Sequence, residues 1–176
     1  MIFSTEAGLI KKAKAGNKEA WLKLIQRHEK QVYHHCLRLV GNPDDACDLM
    51  QDVFISVFKA LESFSGDSQF STWLYKITYA RCMDFFRKKN TKSEELIEVD
   101  TDELESTLIQ DCTNQEVIQA LKCLPFEQRQ IIELKFFAQL TFDEISEITT
   151  LSTNTVKTRL YSALKKMKGH LEVVNG

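Results

Sequence analysis

Four acids, Asp44, Asp45, Asp48 and Asp52, fall close together in the chain. On a helix they could gather a cation and support metal-dependent chemistry. Nothing else in that half of the sequence offers complementary ligands. The run His34-His35-Cys36 is the other cluster of donors. Consecutive helical residues point about 100° apart, so these three cannot close on one ion. Neither a metal nor a cofactor is expected. The acids make more sense with their neighbours: Asp48, Gln51, Asp52 and Ile55 share one helical face, with Asp45 at its margin. An apolar anchor ringed by charges suits a protein interface, in which the charges choose the partner. The plainer alternative is a solvated charged face.

A second constellation lies near the C-terminus. With Val156, Leu160, Ala163, Leu164 and Met167 taken as a buried stripe, Asn154, Thr158, Tyr161, Ser162 and Lys165 point the other way. Lys157 and Arg159 flank them. This face is hydrogen-bonding, carries no acid and has a cation at each shoulder. Such a helix could read base edges with its centre and hold phosphates with its shoulders. An ordinary amphipathic surface helix has the same spacing.

The elements that must position these residues can be placed from caps and periodicity. Thr141-Phe142-Asp143-Glu144 is a capping box, opening a short helix with Phe142, Ile145 and Ile148 on one side. Ser152 can cap the next helix, and two short helices joined by such a turn make a helix-turn-helix. Upstream, Ser4 or Thr5 starts a helix that ends at Gly16. Asn17 then caps a long one stopped by Gly41, with Trp21, Leu24, Ile25, Val32, Tyr33, Cys36, Leu37 and Val40 as its apolar stripe. Asn42-Pro43 opens a third, with Ala46, Leu49, Met50, Val53, Phe54, Val57 and Leu61 inward. Phe64 to Gln69 reads as a loop, and Phe70 leads into a further helix. Its core side is expected to carry Trp73, Leu74, Ile77 and Ala80. Tyr75, Tyr79 and Phe86 would lie opposite, among Lys76, Arg87, Lys88 and Lys89. Aromatics interleaved with cations can stack unpaired bases, although a helix covered on both faces would show the same residues.

Six Gly and two Pro in 176 residues, 43% hydrophobic content and no alternating strand pattern argue for an all-α protein. The net charge of −2 hides a division along the chain. Residues 1–92 carry +5, residues 93–120 carry nine acids and no base, and residues 121–176 carry +2. The expected organisation is therefore two small helical domains, 1–92 and 113–176, joined by an acidic flexible linker over 93–112. The linker could mimic a nucleic-acid strand or serve as a solvated spacer. No apolar run approaches a membrane span, and the N-terminus lacks the layout of a signal peptide. Five scattered Cys with no CxxC pair suit reduced thiols and a cytoplasmic protein.

These segments resemble a known family. Asp44-Asp45-Ala46-Cys47-Asp48-Leu49-Met50-Gln51-Asp52-Val53-Phe54 is similar to the DAxDLxQxxF pattern of bacterial sigma factors. Phe70-Ser71-Thr72-Trp73-Leu74-Tyr75-Lys76-Ile77 is similar to their FxTWLYxI. Leu124-Pro125, Arg129, Leu140 to Ile145 and Thr155 to Leu160 resemble their C-terminal domain. The short length points to the extracytoplasmic-function (ECF) group. The resemblance implies a non-enzymatic initiation factor, cytoplasmic and nucleoid-associated. Asp45, Asp48, Gln51, Asp52 and Ile55 would bind the clamp of the largest subunit of core RNA polymerase. Phe64, Ser65, Gly66, Asp67, Ser68, Phe70, Ser71, Trp73, Tyr75, Lys76, Arg87 and Lys88 would melt the −10 element and hold the exposed strand. Arg129, Asn154, Thr155, Lys157, Thr158, Arg159, Tyr161, Ser162 and Lys165 would bind the −35 duplex. An anti-sigma factor is a further partner of such proteins. The chain departs from the usual pattern at Tyr79-Ala80, Asn154 and Ser162, where the family often carries Arg-Asn, Gly and a second Arg. Two rivals stay open: a stand-alone helix-turn-helix regulator, and a metal-dependent enzyme built on Asp44, Asp45, Asp48 and Asp52.

Overall fold

The structure, a computed structural model, describes residues 5–92 and 118–175. Most of them are helical, and none of the described residues lies in a strand. The chain divides into two compact units, Met1–Arg81 and Cys82–Gly176. That boundary falls inside a helix, before the residue 92 expected from the charge pattern. The acidic linker expected over 93–112 lies outside the described residues.

In the first unit, each helix begins where a side-chain oxygen can satisfy a free amide. The N-cap Thr5 accepts from Gly8 N at 3.2 Å and opens α1 (Glu6–Lys14). Asn17 accepts from Ala20 N at 2.8 Å and opens α2 (Lys18–Val40). Asn42 accepts from Asp45 N at 3.0 Å and opens α3 (Pro43–Ala60), with Pro43 in the first turn. Gly41 ends α2 at φ 72°, a left-handed conformation that a glycine adopts without Cβ strain. A 3₁₀ turn over Leu61–Ser63 and a loop lead into α4 (Phe70–Lys92).

Leu9 and Ile10 of α1, Leu24, Val32 and Cys36 of α2, and Leu49, Val53 and Val57 of α3 form the core. Trp21, Ile25, Tyr33 and Val40, expected inside, are only half-buried. His28 and His35 are buried instead.

The phase expected for α4 is corrected by the structure. Its buried residues are Phe70, Leu74, Tyr75, Thr78 and Cys82, whereas Ala80 is exposed and Trp73 and Ile77 are half-buried. Tyr75 is only 4% exposed, and its ring lies 5.7 Å from that of His35 on α2. Thr78 joins the core because its hydroxyl donates to the Leu74 carbonyl at 2.9 Å. Both are polar types that a count of apolar residues places outside, which is why the stripe was mis-phased.

The second unit has a helical turn over 118–122, then α5 (Phe126–Ile132), α6 (Phe142–Thr149) and α7 (Thr153–Asn175). Leu121, Ile131, Leu134, Ile145, Val156, Leu160 and Ala163 fill its core. After α5 the chain widens into a π turn over Glu133–Phe137, and Gln139 follows at φ 56°.

Thr150 ends α6 at φ 59°. A β-branched residue pays roughly 1–2 kcal/mol for that conformation. Glycine would relieve it but gains freedom in the unfolded chain, so Thr150→Gly is expected to raise stability by only about 0.5–1 kcal/mol. Thr150→Val keeps the strain and loses the hydroxyl's bond to the Thr149 carbonyl, 2.7 Å long. Urea unfolding should rank the three Gly, Thr, Val; a glycine variant no more stable than wild type would show that the turn carries no strain.

Candidate nucleic-acid and protein interfaces

The cap of α3 and its buried stripe settle which side of that helix meets solvent. With Ala46, Leu49, Val53 and Val57 inside, Asp48, Gln51 and Asp52 are exposed, Asp45 is half-buried, and Ile55 is 52% exposed. The structure adds Phe58, which sequence reasoning missed. It is 59% exposed and meets Trp21 of α2 edge-on at 5.2 Å. Its signal was its place three residues beyond Ile55, one helical turn along the same side. Exposure of this much apolar surface costs free energy unless a partner covers it. Among the described residues no group of three or more His, Cys, Asp or Glu could hold a metal ion.

The stretch after the 3₁₀ turn is sorted by burial. Phe64 and Phe70 are buried and Trp73 is half-buried, with ring centroids 5.1–5.7 Å apart. These rings form a floor. Ser65, Gly66, Asp67, Ser68 and Gln69 rise from it and are exposed. Ser65 Oγ donates to Asp67 Oδ2 at 2.6 Å, and Gly66 turns the chain at φ 87°. Along α4, Lys76, Arg87 and Lys88 are exposed and Ser71 is half-buried. Arg87 lies 3.9 Å from Asp84. Tyr75 is not on this surface, so it cannot stack a base without leaving the core.

In the second unit the helix-turn-helix forms as its caps dictate. Thr141 Oγ1 accepts from Glu144 N at 3.2 Å, and Glu144 Oε2 accepts from Thr141 N at 2.8 Å. Thr150, Leu151 and Ser152 make the turn, held by Ser146 Oγ donating to the Leu151 carbonyl at 2.6 Å. Ser152 Oγ accepts from Thr155 N at 3.1 Å and starts α7. Val156, Leu160 and Ala163 are buried, while Asn154, Thr158, Tyr161, Ser162 and Lys165 are exposed; Leu164, expected in the buried stripe, is exposed and Met167 is half-buried.

Several of these side chains already have local partners. Thr155 Oγ1 lies 2.8 Å from Ser152 Oγ, within the cap. Ser162 Oγ accepts from Gln128 Nε2 at 3.3 Å. The Thr158 hydroxyl donates to the Asn154 carbonyl at 2.9 Å. The ammonium groups of Lys157 and Lys135 both approach the Phe142 ring, at 5.3 and 4.5 Å. Arg159 is half-buried. Arg129 is half-buried with its guanidinium 5.7 Å from the Phe126 ring, and burial lowers its pKa from the usual arginine value.

A helical unit with an acid-framed apolar patch, followed by one with a helix-turn-helix and an acid-free outer face, defines a DNA-binding protein with a second, proteinaceous partner. Comparison with known proteins agrees. Residues 24–92 match the family model of sigma-70 region 2, and residues 114–167 match that of sigma-70, region 4. The chain is 35% identical over 158 residues to RNA polymerase sigma factor SigV of Bacillus subtilis, covering 89% of this chain and 94% of that one. It is 30% identical over 176 residues to ECF RNA polymerase sigma factor SigW of the same organism, covering 92% and 94%. The fold is similar to that of the sigma factor RpoE of Bartonella quintana, solved with its anti-sigma factor NepR. The TM-score is 0.71 at 20% identity, over 86% of this chain and 98% of that one. The protein belongs to the ECF RNA polymerase sigma factors of the sigma-70 family. No helix among the described residues is long and apolar enough to cross a membrane.

Proposed function

We propose that the protein gives core RNA polymerase its promoter specificity and acts without catalytic chemistry of its own, in the cytoplasm and on the nucleoid. The exposed face of α3, with Asp48, Gln51, Asp52, Ile55 and Phe58, docks on the clamp of the largest subunit. The loop Ser65–Gln69 and the exposed basic side of α4 hold the melted −10 strand over the floor made by Phe64, Phe70 and Trp73. The outer face of α7 enters the major groove at the −35 element. An anti-sigma protein would act by covering one of these faces.

The observation that carries this proposal is the pairing of two unlike surfaces in one chain. A stand-alone helix-turn-helix regulator has no use for an acid-ringed Ile55 and Phe58. Run-off transcription with purified core polymerase on a promoter library is the test. Selective initiation that needs this chain is the expected result. DNA binding with no dependence on core would instead identify a stand-alone regulator.

A further inference from the structure

We infer that Lys14, on α1, is a positioning residue for the loop Ser65–Gln69, and so for capture of the melted −10 strand. This deepens the proposed function and rests on that assignment of the loop. Helix α1 lies before residue 24, where the match to sigma-70 region 2 begins, so nothing in that match assigns it a role.

The helix meets the base of the loop through its last turn, and through its first turn it meets a neighbour of that base on α2. From its last turn, Lys14 Nζ donates to the carbonyl of Phe64 and, at 3.5 Å, to that of Glu62. The same ammonium stands 5.9 Å from the centre of the Phe64 ring. From its first turn, Glu6 Oε1 lies 2.7 Å from Nε2 of His28. The His28 ring packs 5.2 Å from that of Phe70. Phe64, which opens the exposed loop, is thus held directly by α1, whereas Phe70, which closes it, is reached only through His28 of α2.

The Phe64 N–H closes the 3₁₀ turn on the Leu61 carbonyl at 3.2 Å, and the Phe64 carbonyl immediately precedes the exposed residues. A charged donor on that oxygen sets the direction in which the loop leaves the core. Within the loop, Ser65 Oγ donates to Asp67 Oδ2 and accepts from Asp67 N at 3.4 Å, and at its far end the Gln69 carbonyl accepts from Trp73 N at 3.2 Å. An added Cβ on Gly66 would meet nothing within 4 Å. The direction in which the loop starts comes from its anchor at Phe64. A flexible strand of DNA is held only by groups already in place, because ordering the loop at the moment of binding would cost affinity.

The experiment uses the full chain, with Lys14→Met to keep the stem and remove the donor, and Lys14→Arg to keep a charged donor. Backbone NMR order parameters of the free protein are read first. In Lys14→Met, those at residues 65–69 should fall into the flexible range, below about 0.6, while those of α2 and α3 stay at wild-type values. The holoenzyme is then given the non-template strand of a promoter on which the wild type is active. Lys14→Met should weaken capture of that strand by about tenfold with core binding unchanged, and Lys14→Arg should restore most of it. Unchanged order in the loop would overturn the proposal. So would a loss of order spread equally through α2 and α3, which would mark Lys14 as support for the whole unit. A looser loop with undiminished strand capture would overturn it too. A loop variant, Asp67→Ala with Ser68→Ala, separates the two levels. If that variant captures the strand as the wild type does, the loop is not the capture site, and the assignment of the loop falls together with the role of Lys14 in capture.

Discussion

Asp48→Arg combined with Ile55→Glu is expected to abolish co-purification with core RNA polymerase and leave the helical content and unfolding midpoint unchanged. Both side chains are exposed, and Ile55 is among the most exposed large apolar residues of the chain. Their replacement therefore opens no cavity and breaks no core contact. On binding, the acids would be desolvated against a basic partner, and a reversed charge there costs roughly 2–5 kcal/mol, or a loss of affinity of about 30- to several-thousand-fold. Phe58→Ala alone should weaken binding without abolishing it, since Phe58 widens the apolar anchor and carries no charge. The remaining α3 charges should make wild-type binding fall with salt. Recovery of the folded double mutant with core at wild-type yield would show that this face meets something else.

Much of this was legible in the sequence because caps and periods are local. Thr5, Asn17, Asn42 and the Thr141–Glu144 box each sit at a helix start for a reason a few residues wide. The outer faces of α3 and α7 follow from buried stripes that are apolar, although Leu164 of the stripe expected for α7 is exposed. Helix α4 has no such stripe. Its buried side includes Tyr75 and Thr78, and only the presence of His35 and the Leu74 carbonyl explains why they are inside. The same limit hid the aromatic floor, since contact between Phe64, Phe70 and Trp73 depends on the path of the loop between them. Lys14 was invisible for a further reason. Its partners are backbone carbonyls some fifty residues away, and any side chain there would present the same oxygen. The π turn at Glu133–Phe137 left no compositional trace at all.

The recognition helix supports the most discriminating result, because its centre and its shoulders should fail in different ways. The Thr158 hydroxyl is already spent on the Asn154 carbonyl, so what Thr158 presents outward is its methyl group. A methyl in the major groove reads the methyl of thymine. Thr158→Val should therefore bind the preferred −35 sequence nearly as well as wild type. Thr158→Ser and Thr158→Ala should each lose roughly 1–3 kcal/mol on that sequence and little on others. Asn154 is exposed in the first turn of α7, and its amide can make a bidentate pair with adenine, so Asn154→Ala should relax a single position by a similar amount. Lys157 and Arg159 are expected to act on phosphates on opposite walls of the groove. Lys157 rests over Phe142 in the free protein and must swing away, at a cost of about 0.5–1 kcal/mol that its phosphate contact has to exceed. Replacing either cation by alanine should weaken binding on every sequence and lower the salt slope by about one. Titrations of the full chain with core polymerase against −35 variants at two salt concentrations separate these outcomes. If Lys157→Ala shifts base preference while Thr158→Ser does not, α7 enters the groove on another face, and the assignment of its centre and shoulders is wrong.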